Sequence, residues 1–253
     1  MSAGPAEWSI VWPALAAGLL VTLTHAPLGI QVLHRGIVFI DLAVAQIAGL
    51  GVVFADWLGF EPRGAAVQIA ALIAALAGAL ALNWTEKRWP EVQEAVIGVS
   101  FIVAANAALL LLAANPHGAE HMKDLLIGQI LWVDPARLVT IALLSAALLW
   151  IWLALRARIG RVGFYVLFAC AVTLSVQLVG LYLVFTTLIV PALATRGFER
   201  GRLAACYALG ALAYASGLAL SLATDLPPGP LIVCTMTAFG VVLFALGPRV
   251  RPV

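Results

Sequence analysis

The chain has little charge. Of its 253 residues only 14 are Lys or Arg and 12 are Asp or Glu, 10% in all, against 64% hydrophobic residues. That is too few polar side chains to solvate the surface of a globule of this length, which excludes a water-soluble domain and leaves an integral membrane protein. The formal net charge of +2 gives no sign of a nucleic-acid partner. Its three cysteines, Cys170, Cys206 and Cys234, each lie in an apolar stretch with no CxxC spacing or adjacent His. A disulfide framework and a zinc finger are therefore excluded, and the cysteines read as small core residues. The sequence contains no G-x-x-x-x-G-K-[ST], no G-x-S-x-G and no dinucleotide fingerprint. Nothing therefore suggests hydrolysis of a nucleotide by this chain or nucleophilic catalysis, and no permanently bound cofactor is expected. Energy for any transport must come from another subunit or an ion gradient. No Lys or Arg precedes Arg35, so the first apolar segment lacks the basic start of a signal peptide. Trp8, Trp12 and Pro13 mark an interfacial start, and the segment is expected to remain as a membrane helix.

What is present is a series of apolar runs at about 10–33, 37–59, 65–83, 95–114, 125–155, 163–195, 203–223 and 229–247, most of which meet the roughly 20-residue requirement for a helical span. The expected fold is all-α: a polytopic membrane helix bundle of about eight segments forming one transmembrane domain over 1–253, with no soluble domain. Two runs are long enough to be divided. Residues 125–155 are expected to hold a short preliminary helix split near Asp134-Pro135. Residues 163–195, with Gly180 and Pro191, are expected to form two half-length helices or a re-entrant hairpin, which only surrounding protein can bury.

Basic residues cluster at His34-Arg35, Lys87-Arg88, Arg156/Arg158/Arg161, Arg196/Arg200/Arg202 and Arg249/Arg251, while the alternating breaks carry Glu61, 117–121 and Asp225. The positive-inside rule puts the first set in the cytoplasm, the N-terminus outside and the C-terminus inside. Both 156–161 and 196–202 are inside only if 163–195 crosses twice or re-enters. Small residues such as Ala45/Gly49 and the alanine-rich 70–81 and 203–219 permit close helix approach in lipid, within a compact bundle and between two copies.

Polar groups inside such runs carry the functional signal. Asp41 and Gln46 lie in the apolar run 36–54, where an ionisable residue defaults to lining a pathway or pairing within the bundle. At about 100° per residue, Ala45 and Ala48 share Asp41's face, whereas Gln46 lies about 140° away. Asp41 is read as a residue that steers a cation; the alternatives are pairing with Arg35 or capping nearby backbone. Gln46 is read as a second polar contact or an interhelical hydrogen bond. The loop holding His117, Glu120 and His121 spells H-x-x-E-H, the pattern of a zinc peptidase. Pro116 and Gly118 oppose the helix that chemistry requires, so capture of a divalent ion by imidazole and carboxylate, or a plain solvated loop, fits better. Residues Thr195, Arg196, Phe198, Glu199 and Arg200 mix charge with an aromatic ring on an inner loop, a docking surface for a soluble partner.

Three stretches resemble the permease subunit of ABC importers for zinc, manganese and related metals. They are Pro27-Leu28-Gly29 through Arg35-Gly36 and Asp41 to Gly49-Leu50-Gly51; Glu86-Lys87-Arg88, Glu94-Ala95-Val96-Ile97-Gly98 and Asp124 to Gly128; and Val179-Gly180-Leu181, Leu188 to Ala192 and Pro228-Gly229-Pro230. The resemblance implies a homodimeric permease of the bacterial inner membrane that moves a divalent metal ion as substrate. It also implies a cytoplasmic ABC ATPase subunit, contacted through 195–202, and an extracytoplasmic metal-binding protein. Members of that family carry Asp-x-x-x-His in the second helix, where this chain has Leu42 and Gln46, with the acid one position earlier at Asp41. A His in the fourth helix is absent from 102–106, and the inner loop before the broken helix is cut down to 156–163. An ion-coupled carrier with a midplane acid, and an intramembrane metallopeptidase using His117, Glu120 and His121, are the competing readings.

Overall fold

Apolar runs with no water to bond their backbones close their hydrogen bonds internally, and here they do so as helices. The structure, a computed structural model, describes residues 5–61, 64–112, 130–133, 135–155 and 158–248. Its α-helices are α1 (Pro5–Arg35), α2 (Ile40–Trp57), α3 (Ala65–Arg88), α4 (Gln93–Leu112), α5 (Pro135–Leu155), α6 (Arg161–Val179), α7 (Leu181–Ala194), α8 (Arg202–Thr224) and α9 (Pro228–Leu246). Short 3-10 turns occupy Pro90–Val92 and Ile130–Trp132, and no strand occurs among the described residues. Among the described residues, eight helices are long and apolar enough to cross a membrane, as the run lengths predict.

The predicted break at Gly180 is present. Gly180 lies between α6 and α7 with φ 87° and ψ 162°, a conformation that is strained for any residue with a Cβ. The two pieces are unequal, however. With 19 residues, α6 is long enough to span, whereas α7 has 14 and measures about 21 Å, short of the roughly 30 Å hydrocarbon core. Pro191 lies inside α7 without ending it: the helix runs on to Ala194, and the Pro191 carbonyl accepts the Thr195 N–H at 3.1 Å. A helix also begins at Pro135, as expected, preceded by the 3-10 turn; the rest of the anticipated preliminary helix lies outside the described residues.

Helix α1 is longer than its hydropathy indicated and contains Pro13 and Pro27. A proline leaves the carbonyl four residues earlier without its helical donor. For Pro27 that carbonyl is Leu23, and the Tyr207 hydroxyl of α8 donates to it at 3.3 Å. The same helix ends at Gly36, φ 69°. There the Ile37 N–H reaches the Val32 carbonyl and the Gly36 N–H the Leu33 carbonyl, each at 3.4 Å, the double closure of a Schellman motif.

Helices α1, α2 and α6 bury more than half of their spans, whereas α5 buries 6% and lies at the lipid-facing edge. Against α1 pack α7, α8 and α5, and α2 packs against α3 and α4. Close approach depends on small residues: a Cβ at Gly29 would meet the backbone carbonyl of Leu188. The basic breaks gather at one end of the bundle. The Arg35 guanidinium lies 4.2 Å above the Phe164 ring, Arg161 reaches Glu86 at 3.8 Å, Arg202 bonds the Ala192 carbonyl and Arg196 covers Phe244.

Replacing Gly29 by Ala forces α1 from α7. The expected cost is about 1–3 kcal/mol, read as a lower unfolding temperature of the purified protein in detergent; an unchanged transition would show that the contact is not needed.

Candidate functional site

The turn 36–39 delivers the chain from α1 into α2. Ile40 N–H bonds the Ile37 carbonyl at 3.2 Å, and Ala43 N–H bonds the Phe39 carbonyl at 3.3 Å. Phe39 occupies the cap position without a side-chain hydrogen bond to the first turn, and its ring stacks on Phe185 of α7 with centroids 6.3 Å apart. Asp41 follows in the first turn of α2. The acid therefore lies at the start of the span, where free amides and the helix dipole favour negative charge.

Its side chain has none of the partners that would make it structural. Asp41 is fully buried, and neither carboxylate oxygen has a hydrogen-bond partner. Arg35, the expected ion-pair partner, lies over Phe164 instead. Capping of the first turn is absent too. The predicted facing is correct: Ala45, Ala48, Val52 and Ala55 are buried with Asp41, at alternating steps of four and three residues along one helix face. Gln46 is half-buried and lies on a different face of α2. Among the described residues, no group of three or more His, Cys, Asp or Glu side chains could hold a metal. His117, Glu120 and His121 lie outside the described residues.

The loop after α7 is built around Thr195, which proves to be fully buried. Its hydroxyl donates to the Pro191 carbonyl at 2.8 Å and lies 3.1 Å from Cys206 Sγ, while Arg202 Nη2 donates to the Ala192 carbonyl at 2.9 Å. These bonds satisfy the last carbonyls of α7. Thr195 therefore supports the loop from within and is not available as a docking residue. Phe198, read from the sequence as exposed, is half-buried with its ring against Gly247. Arg196, Glu199 and Arg200 are exposed.

Two further polar residues have little or no signature in the sequence. His25 is fully buried in α1; Nδ1 lies 3.1 Å from the Val21 carbonyl and 2.9 Å from Thr24 Oγ1, while Nε2 has no partner. An imidazole inside the run 10–33 was the available signal. The second is Glu94, whose Oε1 accepts the Val38 N–H at 2.6 Å; nothing in sequence spacing joins positions 38 and 94.

A model of the family described as the ABC 3 transport family matches residues 7–159 and 153–247. Among characterised proteins, the chain is similar to the high-affinity zinc uptake system membrane protein ZnuB of Haemophilus influenzae, at 24% identity over 94% of this chain and 98% of that protein. It is also similar to an uncharacterized membrane protein of Synechocystis sp., at 24% identity over 90% of this chain and 87% of that one. Among solved structures, PsaBC from Streptococcus pneumoniae in complex with Fab superposes with a TM-score of 0.74 at 20% identity, covering 94% of this chain and 92% of that one. An inward-facing putative metal-chelate type ABC transporter gives 0.67 at 16% identity, covering 97% and 91%.

Substituting Arg202 by Ala leaves the Ala192 carbonyl without its charged donor. The expected loss is about 1.5–3 kcal/mol of stability, measured by thermal unfolding in detergent; a variant as stable as the parent would show that the cap contributes nothing.

Proposed function

The chain belongs to the ABC 3 transport family, and from that membership we propose that it is the membrane-spanning permease of an ATP-driven importer of divalent metal ions, zinc or manganese, in a bacterial inner membrane. The observation that carries the site is Asp41, buried with both carboxylate oxygens unpartnered. An acid held in that state lacks a counter-charge, and the cargo cation supplies one during passage. The first-turn position favours the charged form of the acid when the cation arrives. Gln46 contributes a neutral amide oxygen from another face of α2, so one ligand sphere can include both only through a second copy of the chain or a distortion of α2. A permease homodimer meets that requirement once α2 has moved to expose Asp41.

In this reading the end of the bundle that gathers Arg35, Arg161, Arg196 and Arg202 faces the cytoplasm, with the N-terminus outside and the C-terminus inside. A cytoplasmic ABC ATPase subunit docks on Arg196, Glu199 and Arg200, with Phe198 anchoring the loop. An extracytoplasmic metal-binding protein delivers the ion to the opposite end, where His117, Glu120 and His121 can receive it.

In proteoliposomes holding the permease with its ATPase, Asp41→Asn is expected to cut uptake of radioactive zinc or manganese by at least about tenfold, since the amide keeps the size but not the charge. Uptake equal to the parent would remove Asp41 from the pathway. Uptake that persists with the ATPase omitted would replace the importer with an ion-coupled carrier.

A further inference from the structure

We propose that Glu94 is the positioning residue of the cation site: by holding the backbone of the 36–39 turn, it sets where α2 begins and hence where the Asp41 carboxylate lies. The proposal rests on the reading of Asp41 given above.

Asp41 makes no hydrogen bond of its own, so its placement is inherited from the backbone that carries it. That backbone starts at a turn whose Gly36 and Ile37 amides bond back into α1 and whose Ile37 carbonyl receives Ile40. Val38 N–H instead leaves the turn and donates to Glu94 Oε1 at 2.6 Å, on the first turn of α4. A bond from an amide to a carboxylate is charge-assisted and about twice as strong as a neutral one. It acts three residues before Asp41, on the element that orients α2.

Glu94 is itself braced. Its neighbour Gln93 donates from Nε2 to the Leu82 carbonyl at 2.9 Å and accepts from Thr85 Oγ1 at 3.0 Å, fixing the start of α4 to the end of α3. One residue beyond Thr85, Glu86 meets Arg161 of α6 at 3.8 Å. Phe164, one turn along α6, lies under the guanidinium of Arg35, three residues before Val38. The contacts therefore close a ring, from the 36–39 turn to α4, α3, α6 and back to the end of α1. Tyr165 faces Glu86 and Gln93 within it. Arg35 Nε and Glu94 Oε2 are buried without hydrogen-bond partners. The ring thus retains an unused donor and an unused acceptor beside the joint through which α2 must move.

The test compares Glu94→Ala, Glu94→Gln and Asp41→Asn in the complex with its ATPase, using zinc ion as the probe. Glu94→Ala is expected to raise the KM for zinc by about tenfold or more while kcat changes less, because the contact is displaced and not removed. Amide exchange of the 36–40 peptide should quicken in the same variant. Glu94→Gln, whose amide oxygen still accepts from Val38, should restore both readouts. The proposal is overturned if exchange at 36–40 is unchanged in Glu94→Ala, if Glu94→Gln behaves like Glu94→Ala, or if kcat falls with KM unmoved. Wild-type import by Asp41→Asn would instead defeat the reading of Asp41, and with it the transport role of Glu94; the exchange data would then still decide whether Glu94 holds the turn. Where Glu94→Ala fails to fold, Glu94→Asp, which shortens the acceptor by one methylene, takes its place with the same expected direction.

Discussion

In a hydrocarbon environment a backbone carbonyl or amide that loses its helical partner has no water to replace it, and each such loss costs several kcal/mol. The described structure is organised around that constraint. Pro27 frees the Leu23 carbonyl, and Tyr207 supplies a donor from another helix. The end of α1 closes on itself through Gly36. The end of α7 is closed by Thr195, Cys206 and Arg202, and past the end of α8 the Ser221 hydroxyl takes up the Leu226 carbonyl at 2.6 Å. Irregular backbone occurs where the protein itself can satisfy it, which is why the break at Gly180 lies between two helices whose flanking residues, Val179 and Leu181, are buried.

Against that background the Asp41 side chain is an exception of a different kind. Backbone groups are rescued by side chains throughout, yet a carboxylate, far more costly to bury, is left without a donor. His25 offers a contrast within α1, because one of its ring nitrogens is held by the Val21 carbonyl and Thr24 and only the other is unpartnered. A group tied on one side has a structural use. Asp41 has no such tie, and its one favourable influence, the start of α2, stabilises charge without binding it. The arrangement suits an acid whose partner is a passing cation.

Much of this was legible in the sequence, and the limits have physical causes. Helix existence follows from run length and composition, so the spans appear where expected. Gly180 was legible because glycine alone takes φ 87° without strain. The burial of Ala45 and Ala48 beside Asp41 followed from helical rotation alone. What sequence could not give was depth. The run 36–54 reads as continuous, but the chain uses Gly36 to Phe39 as a turn, which moves Asp41 from the interior of a span to its first turn. Long-range pairs were equally hidden. That Tyr207 reaches Leu23, that Thr195 turns inward to Cys206, and that Glu94 holds Val38 all depend on which helices become neighbours, and no local pattern encodes that.

The displaced register gains meaning from the structure. In the family this chain resembles, an acid and an imidazole four residues apart share one face of the second helix; the matching positions here are Leu42 and Gln46, both half-buried. Moving the acid back by one residue turns it by about 100°, from that face onto the one that packs through Ala45 and Ala48. The shift is therefore not a small change in ligand position. It takes the carboxylate from a surface that a pathway or a second copy can reach to one closed off within the chain. A cation can meet Asp41 only when α2 rotates or separates from the helices packed on its small-residue face. The alanines on that face lower the cost of such a movement, since few interlocking side chains must disengage. On the proposed reading of Asp41, selectivity would depend on the movement of α2 as well as on the ligands, with the turn that starts α2 as its point of control.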